Sequence, residues 1–79
     1  MGEKLPILDK TATGSNIKRL MRLNHITVSQ LQITLGMASA TNIYAWCRGE
    51  ITPSSDRLVQ LARIFKCKVD DILVIQEEI

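Results

Sequence analysis

The sequence predicts an all-α fold, a compact bundle of five short helices with short extended arms at its two ends. Three observations carry that expectation. Apolar residues recur at helical spacing in successive stretches, as in Ile17, Leu20 and Met21 or Leu58, Leu61, Ala62 and Phe65. Helix-opening residues alternate with helix-ending ones: Ser15, Thr27, Ser39 and Pro53-Ser54 open, while Asn24, Gly36 and Gly49 close. With one Trp, one Tyr and one Phe among 79 residues, the core must be aliphatic.

The elements follow in order. Residues 1–13, MGEKLPILDKTAT, contain Pro6 and no helical period, and read as an arm whose Leu5, Ile7 and Leu8 give it something to bury. The first helix opens near Ser15 and runs to about Leu23, where Asn24-His25 closes it, Asn being tolerant of a left-handed cap. Thr27 with Gln30 three residues on forms a capping box for the second helix. Its buried stripe is Leu31 and Leu35, helped by Val28 or Ile33, and Gly36 is its stop. Ser39 caps a third helix, roughly Ala40 to Cys47, ended by Gly49. Pro53-Ser54 starts the fourth, and a short fifth runs from about Val69 to Leu73. The run Ile72 to Ile75 is rich in β-branched residues and favours a strand. Its natural partner is the arm around Leu5 to Leu8, in the same chain or in a second copy. The chain thus divides into an arm (1–13), one domain (14–75) and an acidic tail (76–79).

A domain of this size buries only about 60% of its unfolded surface, which leaves no room for a deep catalytic cleft. Cys47 and Cys67 lie twenty positions apart with only His25 as a further ligand, too few for a metal site. Both cysteines sit in apolar helical patterns and imply a reducing, cytoplasmic setting. No paired carboxylates, Ser/His/Asp set or Gly-rich phosphate loop is present, so neither an enzyme nor a cofactor is expected. No apolar run reaches membrane-spanning length and no signal peptide is visible; Pro6 also rules out a myristoylation signal at Met1-Gly2. The net charge of +2 is unevenly spread: residues 14–65 hold six bases against two acids, residues 66–79 two bases against four acids. A basic middle suits contact with phosphate.

Two short helices joined by a tight turn, followed by a third that starts at Pro-Ser, are the order of signals of a helix-turn-helix. On a helical wheel with Ile43 and Trp46 inward, Thr41, Ala45 and Arg48 point directly away, with Asn42 and Tyr44 on the flanks. Such a face can read base edges in a major groove: Asn42 suits adenine, Thr41 a base or a thymine methyl, and Tyr44 a phosphate. Ala40 and Ala45 offer only methyl contacts. Phosphate is expected at the helix starts around Thr27-Val28 and Ser54, and at Arg48 with the loop from Gly49 to Thr52. Each of these hydroxyl residues also serves as a plain cap in any helical protein.

These residues together resemble the phage repressor/Cro (Xre-type) helix-turn-helix family over about Gly14 to Val74. The likeness is carried by NIKRL, ITVSQL, LGMAS, IYAWCRGEITPS and DRLVQLARIFKCKVDDIL. The resemblance implies a five-helix bundle, a third helix in the major groove, and homodimers reading two half-sites of double-stranded DNA. By position it implies base-facing Ala40, Thr41 and Ala45 with Tyr44 nearby, and phosphate contact from the start of the second helix, Arg48 and the loop into Ser54. Val28 stands where the family often has Gln, and Gln32 where it usually has Ala. The turn from Gly36 to Ser39 is one residue longer than the commonest form. Met21 and Cys47 replace an Arg and a Glu that many members pair, which avoids leaving one buried charge alone. The expected function is sequence-specific regulation of transcription, as a repressor. The alternative is a protein–protein interaction module that kept the fold and lost base readout, which the methyl-only positions favour.

Overall fold

A computed structural model describes residues 5–76 of the chain. Five helices are present: α1 (Lys10–Leu23), α2 (Val28–Thr34), α3 (Thr41–Arg48), α4 (Ser55–Phe65) and α5 (Val69–Ile72). Two-residue strands β1 (Ile7–Leu8) and β2 (Ile75–Gln76) flank them. The five largest fully buried side chains are Ile17, Leu31, Ile43, Leu61 and Ile72, one from each helix. Full burial of such a side chain contributes about 1.5–3 kcal/mol, so every helix is tied to the common core by at least one anchor. Trp46 and Phe65 complete it from α3 and α4. The second helix draws Val28 into that core, whereas Ile33 stays 78% exposed.

α1 begins earlier than its sequence suggests. Asp9, not Ser15, is the N-cap, its carboxylate accepting the Ala12 N–H at 3.0 Å. Lys10 to Thr13 are therefore helical rather than part of an arm. Gly14 then lies in mid-helix, where glycine ordinarily weakens a helix. Here its missing side chain is the reason it fits: a Cβ would stand 2.4 Å from the Trp46 carbonyl oxygen and 2.6 Å from that of Cys47. α1 and α3 are in backbone contact at this point.

The first four helices end alike. The residue after the last turn is left-handed, at φ 55° for His25, 68° for Gly36, 78° for Gly49 and 57° for Lys66. The amide beyond each turns back onto its helix: Ile26 to Met21, Met37 to Gln32, Glu50 to Ala45 and Cys67 to Ala62, at 2.9–3.0 Å. In α1 the left-handed residue is thus His25 rather than Asn24, whose side-chain amide instead donates to the Leu20 carbonyl at 2.8 Å.

The strand expectation is met within one chain. β1 and β2 pair antiparallel, Ile7 opposite Gln76 and Leu8 opposite Ile75. The C-terminal segment is further stitched to α1. Thr13, buried, accepts the Val74 N–H on its hydroxyl at 2.9 Å. Asn16 donates to the carbonyls of Asp71 and Ile72 at 2.7 and 2.9 Å, the end of α5. Of the expected acidic tail, Gln76 belongs to β2 and the rest lies outside the described residues. No helix among the described residues is long and apolar enough to cross a membrane.

Candidate nucleic-acid interface

α2, the turn and α3 form the centre of the site. Thr27 caps α2 through a reciprocal pair: its hydroxyl takes the Gln30 N–H at 3.1 Å, and the Gln30 side chain takes the Thr27 N–H at 2.8 Å. Across the turn, Gln32 donates to the Met37 carbonyl at 3.3 Å. Arg57 reaches back from α4 to the Leu35 carbonyl at 2.9 Å and also holds Gln60. The turn is thereby fixed from both sides, and with it the angle between α2 and α3. One of the six bases of the basic middle is consumed in doing so.

α3 opens at Ala40, which has no side chain to cap it. Ser39 helps from outside, accepting the Thr41 N–H at 3.4 Å and donating to the Thr41 hydroxyl at 3.3 Å. Ser54 caps α4 by accepting the Arg57 N–H at 3.2 Å. Thr41, Asn42, Tyr44 and Arg48 are exposed, and Ala40 is half-buried.

Ala45 departs from the wheel. It was expected on the outward ridge, yet it is buried, with only 7% of its surface open. The wheel assumed one packed side, centred between Ile43 and Trp46. Ala45 is buried although Asn42, which the wheel sets between it and Trp46, is exposed, and the chain after the helix folds back onto α3 through the Glu50 amide, which donates to the Ala45 carbonyl. The outward ridge therefore shifts toward Tyr44, Arg48 and Thr41. The same folding back removes two amides from the expected phosphate loop, since Gly49 N–H goes to Trp46 and Glu50 N–H to Ala45.

A shallow cleft of about 270 Å³ gathers three helices on one face. Lys18 and Arg22 from α1, Thr27 at the start of α2 and Tyr44 from α3 all line it and are exposed. Met21, Val28 and Cys47 line it too, and they are buried or half-buried. Met21 and Cys47, the two positions at which the sequence resemblance implied a lost ion pair, thus lie together on the cleft wall. Burial pushes the Cys47 thiol above its ordinary value of 9.0, while Lys18 and Arg48 pull it partly back.

Glu50 was not singled out by its sequence position. Its carboxylate grips Arg48 side-on, Oε2 to Nε at 2.7 Å and Oε1 to Nη2 at 3.0 Å. Among the described residues this is the one ion pair. It raises the pKa of Arg48 and lowers that of Glu50. Residues two apart on a helix do not face one another. The pair exists because Gly49 reverses the chain between them, a signal present in the sequence only as a glycine.

A capped helix, a braced turn and a second helix with an exposed polar ridge define a helix-turn-helix DNA-binding domain. The profile of the Cro/C1-type HTH DNA-binding domain matches residues 16–78, and the chain belongs to that family. The restriction-modification controller protein C.AhdI from Aeromonas hydrophila has a similar fold, with a TM-score of 0.71 at 16% identity over 81% of this chain and 96% of that one. So does the DNA-binding domain of BldD, with a TM-score of 0.69 at 15% identity over 82% and 93% of the two chains. No curated protein sequence matches this one.

Proposed function

We propose that this protein is a sequence-specific regulator of transcription, a cytoplasmic repressor that binds double-stranded DNA as a homodimer with α3 in the major groove. The observation that carries the reading is the convergence of Lys18, Arg22, Thr27 and Tyr44 on one exposed face beside the α3 ridge. In this reading Thr41 and Asn42 meet base edges from the first turn of α3, with the methyl of Ala40 beside them. Tyr44, Arg48 and the two α1 bases meet phosphates on either side. Thr27, Val28, Ser39 and Ser54 border the backbone path. The hydroxyls of Thr27 and Ser54 already cap their own helices and that of Ser39 holds the Thr41 N–H, while Val28 has none, so these residues contribute at the edge of the contact rather than at its centre. Ala45, being buried, supports α3 and reads nothing.

One good base contact is worth about 1–3 kcal/mol of discrimination. With only Thr41 and Asn42 to supply such contacts, a single copy has limited selectivity, and two copies on a two-fold site double it. A second reading, a protein-binding module without base readout, is favoured by the burial of Ala45 and the bare methyl of Ala40.

Selection from a randomised duplex pool, repeated at two salt concentrations, separates the readings. Enrichment of a two-fold symmetric site that weakens steeply with salt is the expected result. Salt-sensitive binding without enrichment refutes sequence-specific readout, and no binding at low salt leaves the protein-binding module.

A further inference from the structure

We propose that Glu50 is a built-in stand-in for phosphate, which occupies Arg48 in the free protein and so withholds that charge from DNA of the wrong sequence. The proposal rests on the reading of Arg48 as a phosphate contact. The carboxylate meets the guanidinium side-on through two hydrogen bonds, 2.7 and 3.0 Å, the same fork that a phosphate would use. Both side chains are more than half exposed, 55% and 57%, on the loop side of α3. The Glu50 backbone is held in place by its amide bond to Ala45 at 2.9 Å and by the left-handed turn at Gly49. Glu50 is therefore presented to Arg48 before any DNA arrives.

Backbone binding without sequence preference is driven by cations that replace the counterions of DNA. An arginine already neutralised by its own carboxylate adds little to that term. An exposed ion pair is weak, however, so it opens readily when a closer fit is offered. A site that seats α3 fully in the groove brings a phosphate to Arg48 and displaces Glu50. A mismatched duplex holds the helix more loosely and leaves the pair closed. Glu50 thus sets the ratio between specific and non-specific binding rather than the strength of either alone.

The test is a double-mutant cycle of Glu50→Gln and Arg48→Ala, measured by fluorescence anisotropy on a mixed-sequence duplex and on the selected site. Glu50→Gln is expected to tighten mixed-sequence binding about threefold at low salt and to steepen its salt slope by about 0.9, one further phosphate. The selected site should gain less, so the specificity ratio falls. With Arg48 already replaced by Ala, Glu50→Gln should do markedly less. An equal gain in both backgrounds would show plain repulsion between Glu50 and DNA and overturn the proposal. Weaker binding by Glu50→Gln would overturn it too, by showing that the carboxylate positions Arg48 for contact. If Arg48→Ala alone changes neither affinity nor slope, the phosphate role of Arg48 has failed and the proposal falls with it, while the reading of Thr41 and Asn42 is untouched. Melting curves of all variants should overlay, since neither side chain is buried.

Discussion

Replacing Gly14 by Ala pits two effects of opposite sign against each other. On an ordinary helix the change is favourable by about 1 kcal/mol, because alanine is the better helix former. In α1 the new Cβ would lie 2.4 Å from the Trp46 carbonyl oxygen, 2.6 Å from that of Cys47 and 2.9 Å from the Cys47 carbonyl carbon. All three are backbone atoms, so no rotamer change relieves them. α1 and α3 must move apart by about 1 Å to restore an ordinary carbon–oxygen contact. Overpacking of this kind costs up to about 3 kcal/mol, which leaves a net loss of about 2 kcal/mol. For a domain of this length that lowers Tm by about 8–16 °C. Thermal unfolding followed by circular dichroism reads it directly. An unchanged or raised Tm would show that the two backbones are not in contact and that Gly14 is only a weak spot in a helix.

Gly14 also marks what could be read from the sequence and what could not. The capping box at Thr27-Gln30, the left-handed stops at Gly36 and Gly49 and the Ser54 start were legible because each is chemistry within four residues. The amphipathic spacing placed Ile17, Leu31, Ile43 and Leu61 correctly in the core for the same reason. Gly14 read as an edge, because its use is a contact with Trp46 and Cys47, far away in the chain. Local reading likewise could not pair Asn16 with the end of α5, or Arg57 with the Leu35 carbonyl. Ala45 was misplaced because a wheel with two inward anchors assumes a single packed side. Glu50 escaped notice because its pairing with Arg48 depends on a chain reversal rather than on helical spacing.

Further outcomes follow from the same contacts. His25→Gly should stabilise the fold by about 0.5–1 kcal/mol, since φ 55° strains any residue with a Cβ; an unchanged melting curve would contradict this. Thr13→Val leaves the Val74 N–H without its hydroxyl acceptor at the cost of about 1–3 kcal/mol, and hydrogen exchange at Val74 should accelerate. Exchange that stays slow there would show that the hydroxyl does not hold the C-terminal segment. Burial raises the thiol pKa of both Cys47 and Cys67, so the folded state keeps protons that the unfolded chain gives up. Stability is then full below the ordinary value of 9.0 and falls as pH rises above it. Denaturant titrations at pH 8 and pH 10 should show a smaller decline in the Cys47→Ala, Cys67→Ala double variant, and an equal decline would refute the assignment.

The central claim is that α3 reads DNA sequence through its first turn. The most direct measurement compares wild type with the Thr41→Ala, Asn42→Ala double variant on the selected site and on mixed-sequence DNA. Both side chains are exposed, so the fold should be unaffected. Affinity of the double variant for the selected site is expected to drop by about tenfold or more while mixed-sequence affinity and its salt slope stay as they were. Equal binding of the selected site by both proteins would contradict it and remove α3 from the role of reader.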